Sequence, residues 1–248
     1  MKKKFMKTKM FFMLGILILA ISNFYGCPLL TGVLVRGGSL YDKWWAINSG
    51  TAPTADHPLW ATRPDTDSNT RTGSDTWRCK ECHGWDYMGV DGAYGSGSHK
   101  TGFDGIYDSR TKSAGELTTF FKTGDHDFSA QFSDQDIADV VSFITTGQID
   151  MTLYIDLDTK EANGDATNGE TLYAGSGQCV VCHGEDGKTI DFHDGEGVGG
   201  VARDNPWDLH KIRFGHPGSS PEMPSAVENG LPIDDQVDIL THAQTLGE

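Results

Sequence analysis

Cys79-Lys80-Glu81-Cys82-His83-Gly84 and Cys179-Val180-Val181-Cys182-His183-Gly184 carry the same signature 100 residues apart. Two thiols at this spacing on a helix end can each add across one vinyl group of a haem, after which the adjacent imidazole faces the iron. Cys-x-x-Cys by itself also serves zinc sites and redox dithiols. The duplication, the histidine in each copy and an export-like N-terminus decide for haem. Cys79, Cys82, Cys179 and Cys182 are therefore expected to attach two haem c groups, with His83 and His183 as iron ligands.

The remaining composition agrees with a chain built around cofactors. Of 248 residues only 37% are hydrophobic, while 31 are glycine. Haem would supply apolar surface that the side chains lack, and glycine would let backbone approach it. Trp77, Trp85, Phe103, Phe120 and Phe121 are candidates to line a first pocket, and Tyr173, Trp207 and Phe214 a second. Lys and Arg total 20 against 35 Asp and Glu, a net charge of −15, which argues against a nucleic-acid partner. No Ser-His-Asp set, phosphate loop or carboxylate pair suggests another active site.

Each signature is followed by a Gly-rich loop and a short amphipathic helix, Leu117 to Lys122 answering Leu209 to Phe214. A closing helix then follows: Asp134 to Ile144, with Ser133 and Asp136 as a capping box and Ile137, Val140, Val141 and Ile144 as its stripe, and Ile233 to Leu246, with Ile233, Val237, Leu240 and Leu246. Ser39 to Ile47 reads as a helix carrying Trp44 and Trp45, Ser49 to Ser74 as an irregular surface loop, and Met151 to Leu157 as a short strand. The expected division is a signal segment at 1–26, an N-terminal extension and loop at 27–74, a first haem domain at 75–147, a linker at 148–162 and a second haem domain at 163–248.

The order Gly169-Glu170-Thr171-Leu172-Tyr173, haem motif, Met223-Pro224, closing helix from Ile233 resembles the class I cytochrome c family. The resemblance is close over about 163–248 and looser over about 75–147. It implies an all-α fold of two tandem cytochrome c-like domains, each wrapped around one covalently attached haem, and one-electron transfer as the activity. It places Met223, 44 residues after Cys179, as sixth ligand of the second haem. Overlaying the halves on their closing helices puts His126, 47 residues after Cys79, in the corresponding place, giving bis-histidine ligation. Met88, His99 and Met151 are competing candidates. A second imidazole donates more strongly to ferric iron than a thioether, so the first haem is expected at the lower potential. His57, His193, His210, His216 and His242 have no spacing that marks a site.

Five lysines before residue 10 and the apolar run Phe11 to Ile21 have the order of an export signal. Its loss would leave 15 basic against 35 acidic residues, a net charge of −20. The exported chain would then be periplasmic or otherwise outside the cytoplasmic membrane. Cleavage after Ser22 would leave it soluble, acylation at Cys27 would anchor it by lipid, and Met10 to Val35, uncharged, could instead remain as a span. The function expected is a relay of single electrons between redox partner proteins, those that dock presenting a basic face. A dihaem oxidoreductase with a catalytic first haem, or a haem subunit of a larger respiratory complex, are the alternatives.

Overall fold

The computed structural model describes residues 28–192 and 194–247. The expectations for the signal segment, Cys27 and His193 fall outside them. Among the described residues there is no strand, only isolated bridges at Gly89–Asp104, Ile155–Ala162 and His216–Met223. Nor is any helix there long and apolar enough to cross a membrane.

Nine helices are described: α1 (Pro28–Ile47), α2 (Cys79–His83), α3 (Ala114–Phe120), α4 (Asp134–Ser142), α5 (Ala166–Ala174), α6 (Val180–His183), α7 (Val198–Asp204), α8 (Leu209–Phe214) and α9 (Ile233–Thr245). The capping box of α4 forms as expected: the Ser133 hydroxyl accepts from the Asp136 amide, and the Asp136 carboxylate accepts from the Ser133 amide. Its stripe, Ile137, Val140, Val141 and Ile144, is buried, and one π turn, Phe143–Gly147, continues it.

Two helix crossings organise the chain, α1 on α4 and α5 on α9. Both are made at a glycine. A Cβ on Gly37 would lie 2.1 Å from the Asp139 carbonyl oxygen, and one on Gly169 would lie 2.0 Å from the Asp238 carbonyl oxygen. No side chain fits there, so the backbones meet directly. One turn further on, each helix presents a buried tyrosine. Tyr41 donates to the Gly84 carbonyl at 2.6 Å and Tyr173 to the Gly184 carbonyl at 3.0 Å.

These contacts place α1 with the first half rather than in an extension. The expected helix at Ser39 to Ile47 is its second half. Arg36 pairs with the buried carboxylates of Asp136 and Asp139 on α4. One more expectation is corrected and one sharpened. Met151 to Leu157 is not a strand but a 3-10 turn, Met151–Leu153, capped by Asp150. Met151 and Ile155, one helical turn apart, are both buried and anchor the stretch between the halves to the core, while Leu153 and Leu157 face out. The region 49–74 is irregular and mostly exposed, as expected, but it is anchored inward by buried Trp60 and Asn69, within or between the 3-10 turns Pro58–Thr62 and Gly73–Trp77.

The halves join where α1 meets α8. The Ser39 hydroxyl donates to the Phe214 carbonyl, and Phe214, expected in a second pocket, instead lies against Gly38 and Phe143. His210 is fully buried in this seam. A carbonyl can only accept, so its Nε2–H donates to Gly38 O at 2.9 Å, leaving Nδ1 to accept from the Tyr87 hydroxyl at 2.8 Å. Trp85, expected to line the first pocket, lies tilted against His210, with ring centres 5.0 Å apart. Trp207 belongs to the same large core.

Candidate haem sites

The backbone around the two Cys-x-x-Cys-His segments is duplicated well beyond the motif. Gly84 and Gly184 end their helices at φ of 81° and 79°, a conformation that only glycine adopts without strain. Asp86 accepts from the Met88 amide and Asp186 from the Lys188 amide, at 3.2 and 3.1 Å. The loop then returns to the histidine carbonyl through Gly89 N–H at 2.9 Å and Thr189 N–H at 3.0 Å. All four thiols are free.

In the first half, Cys79, Cys82 and His83 line one cavity of about 310 Å³, with Tyr41 from α1, Phe120 and Phe121 at the end of α3, and Val140 and Ile144 from the α4 region. Trp77 and Phe103 also line it, as expected. His83 Nδ1 lies 2.7 Å from the Asp104 carbonyl, so it must carry the proton, and the Nε2 lone pair is left for a metal. His126 lines the same cavity. The His83 and His126 ring centres are 6.2 Å apart, their planes 30° from parallel. Two imidazoles sharing one metal, each nitrogen about 2 Å from it, hold their ring centres about 6 Å apart. Burial pushes the His83 imidazole down. Burial, then the neighbouring His83 and His57 rings, push His126 down to about 4. Both are held neutral, the form that coordinates iron. Cavity, thiols and imidazole pair fit a covalently held haem, which Cys79 and Cys82 would attach and for which His83 and His126 would be the candidate ligands.

Of the competing ligands, Met88 does not line the cavity, and the other two are otherwise engaged. His99 Nδ1–H donates to the Glu81 carboxylate at 3.1 Å, and its Nε2 accepts from Arg71 at 2.9 Å. Met151 is in the core. Glu81 itself is fully buried inside the motif. Burial alone would raise its pKa, but His99 and the Lys80 ammonium, 2.5 Å away, hold it well below the usual carboxylate range. Asn69 also donates to it, at 2.7 Å, from the folded-in segment before the motif.

In the second half the segment between the cysteines is less enclosed, with Val180 half-buried and Val181 open. Val181 is 77% exposed, where its counterpart Glu81 is at 0%. His183 Nδ1 is buried without a hydrogen-bond partner among the described residues, and the Phe192 ring stacks 6.0 Å from it. Met223 lies half-buried in the loop between α8 and α9. Its backbone is bridged to His216, and its amide donates to the Ser219 hydroxyl at 3.0 Å.

Sequence reading passed over His57, which also lines the first cavity. It lies in an irregular segment with no periodicity to mark it. The pair Gly37 and Tyr41 was legible in principle, since Gly169 and Tyr173 repeat it at the same spacing.

A Cys-x-x-Cys-His helix, two imidazoles lining one cavity and the crossing of α1 on α4 are an arrangement that a c-type cytochrome domain would use. The Cytochrome c family model matches residues 71–148, and such a domain carries covalently bound haem c as a one-electron carrier. The match falls on the half whose resemblance to the class I family was the looser one, and it does not extend over 163–248. No curated protein and no solved structure matches the chain.

Proposed function

We propose that the chain is an exported dihaem c-type cytochrome that relays single electrons between redox proteins. Its first haem would be attached at Cys79 and Cys82 and ligated by His83 and His126. Its second would be attached at Cys179 and Cys182 and ligated by His183 and Met223. The observation that carries the second haem is the shared backbone of the two motifs, from the glycine crossing and the tyrosine on the motif glycine to the Asp86 and Asp186 turns. A lone zinc or dithiol site has no use for a first-and-last-helix crossing of the same kind.

Haem supplies the one-electron chemistry. The chain's part is to hold the ligand imidazoles neutral, to fix His83 by the Asp104 carbonyl, and to exclude water with Phe121, Val140 and Ile144. Bis-histidine ligation sets the first haem below the second in potential, so electrons would rest on the second. The excess of acidic residues, 35 against 20, favours partners with a basic docking face and binding that weakens with salt.

Intact mass with haem quantitation tests the reading. Two haems are expected per chain, falling to one in Cys179→Ala/Cys182→Ala and to one in Cys79→Ala/Cys82→Ala. A single haem in the unaltered protein, unchanged by the Cys179→Ala/Cys182→Ala substitutions, would overturn it. The mass of the exported chain also separates acylation at Cys27 from simple cleavage.

A further inference from the structure

We infer that His57 is a hydrogen-bond donor held at the first cavity for a small ligand that takes the place of His126. The class is an anion or diatomic, such as cyanide, azide or carbon monoxide, with an acceptor atom beyond the one that meets iron. The inference rests on the assignment of a haem to Cys79, Cys82 and His83. Three observations carry it.

The first is the tautomer of His57. Its Nδ1 accepts from the Leu59 amide at 3.1 Å, so in the neutral ring Nε2 carries the proton. Ligation through Nε2 would move that proton to Nδ1, against the Leu59 N–H. His57 is thus arranged to donate and not to coordinate. Its ring is fixed by Trp77, edge-on with centres 4.5 Å apart, and by Phe128, stacked at 5.6 Å; both of these side chains also line the cavity.

The second is the unequal hold on the two candidate ligands. His83 is anchored to Asp104. His126 sits on a single turn, Gly124–His126, between exposed residues, and its imidazole has no hydrogen-bond partner among the described residues. It is the ligand that can leave. The third is place. His57 and His126 have ring centres 6.5 Å apart, so the donor stands beside the position that His126 would vacate. Donors at that position govern which small molecules a haem binds. His57 lies in the segment between α1 and α2, which separates Tyr41 from Cys79 by 38 residues, where Tyr173 and Cys179 are 6 apart. The device therefore belongs to the first site alone.

Cyanide affinity and dissociation rate for the ferric holoprotein, and the C–O stretch of its ferrous carbonyl form, test this in the unaltered chain, in His57→Leu and in His57→Gln. The same set is repeated on His126→Gly, which opens the site without relying on displacement. His57→Leu is expected to weaken cyanide about five- to tenfold, chiefly through faster dissociation, and to raise the stretch. His57→Gln, which keeps an N–H, is expected to recover part of both. Equal affinity and an unshifted stretch in His57→Leu would overturn the inference, as would a failure of cyanide to bind even in His126→Gly. Loss of the low-spin spectrum in His57→Leu before any ligand is added would make His57 an iron ligand and also overturn it. If Cys79→Ala/Cys82→Ala leaves the haem content unchanged, it is the assignment of the first haem that fails.

Discussion

The helix crossing at Gly37 offers a sharp test, because two glycines of the same helix should respond in opposite directions. A Cβ at residue 37 would lie 2.1 Å from the Asp139 carbonyl oxygen and 2.8 Å from the Phe143 Cβ, and it falls short of ordinary contact at 3.4 Å by about 1.3 Å. The obstruction is backbone, so no rotamer relieves it. α1 must back away from α4, loosening the pairing of Arg36 with Asp136 and Asp139 and drawing the Tyr41 hydroxyl from Gly84. Overpacking of this kind costs about 1–3 kcal/mol, and the lost contacts add to it. Replacing a helical glycine by alanine returns about 1 kcal/mol at most. Gly37→Ala is therefore expected to destabilise the protein by about 2 kcal/mol, lowering Tm by about 4–8 °C for a chain of this size. Gly32, also in α1, has nothing within 4 Å of its would-be Cβ, and Gly32→Ala should raise Tm. The assay is thermal unfolding followed by circular dichroism, with both variants loaded with haem to the same extent. A Gly37→Ala protein as stable as Gly32→Ala would refute the backbone-to-backbone crossing.

Tyr41→Phe and Tyr173→Phe each strip a hydroxyl from a motif-glycine carbonyl and should each cost about 1–3 kcal/mol, read from denaturant midpoints. No loss in either would sink the equivalence of the two tyrosines. Burial, together with the Arg213 and Lys211 charges and against the pull of Asp42 and the Gly38 carbonyl, pushes His210 down to about 3. The folded chain then binds fewer protons than the unfolded one, whose imidazole titrates near 6.5. Stability is full above about pH 6.5 and falls as the pH drops toward 3, by about 2 kcal/mol between pH 7 and 5. His210→Gln should flatten that slope, and an unchanged slope would rule out the neutral buried imidazole.

Much of this architecture is legible from local pattern. Ser133 and Asp136 announce the start of α4, the Ile137, Val140, Val141 and Ile144 stripe marks its buried face, and α8 and α9 begin where Leu209 and Ile233 place them. The cavity joining Cys79, Cys82, His83 and His126 follows from motif spacing and the overlay of the closing helices. What escapes such reading depends on contacts distant in sequence. α1 belongs to the first half because Gly37 meets Asp139, a meeting that residues 28–47 record only through the echo of Gly37 and Tyr41 in Gly169 and Tyr173. Trp85 and Phe214 read as pocket-lining aromatics, but the seam around His210 claims both. His57 is placed by the fold of a segment without periodicity, so only the assembled cavity reveals it.

The sealing of Lys80 and Glu81 sets an order of events in making the protein. Thiols add as thiolates, and burial pushes both Cys79 and Cys82 up to about 12 in the folded chain. Asn69 and His99, one before the motif and one after it, lock the helix that carries them. On the proposed two-haem reading, attachment at the first motif would have to precede closure of the segments holding these two residues; at the second, burial also pushes Cys179 up, to about 11, but Val181 faces outward and the enclosure is looser. Expression that outruns haem supply should accordingly accumulate chains lacking the first haem rather than the second.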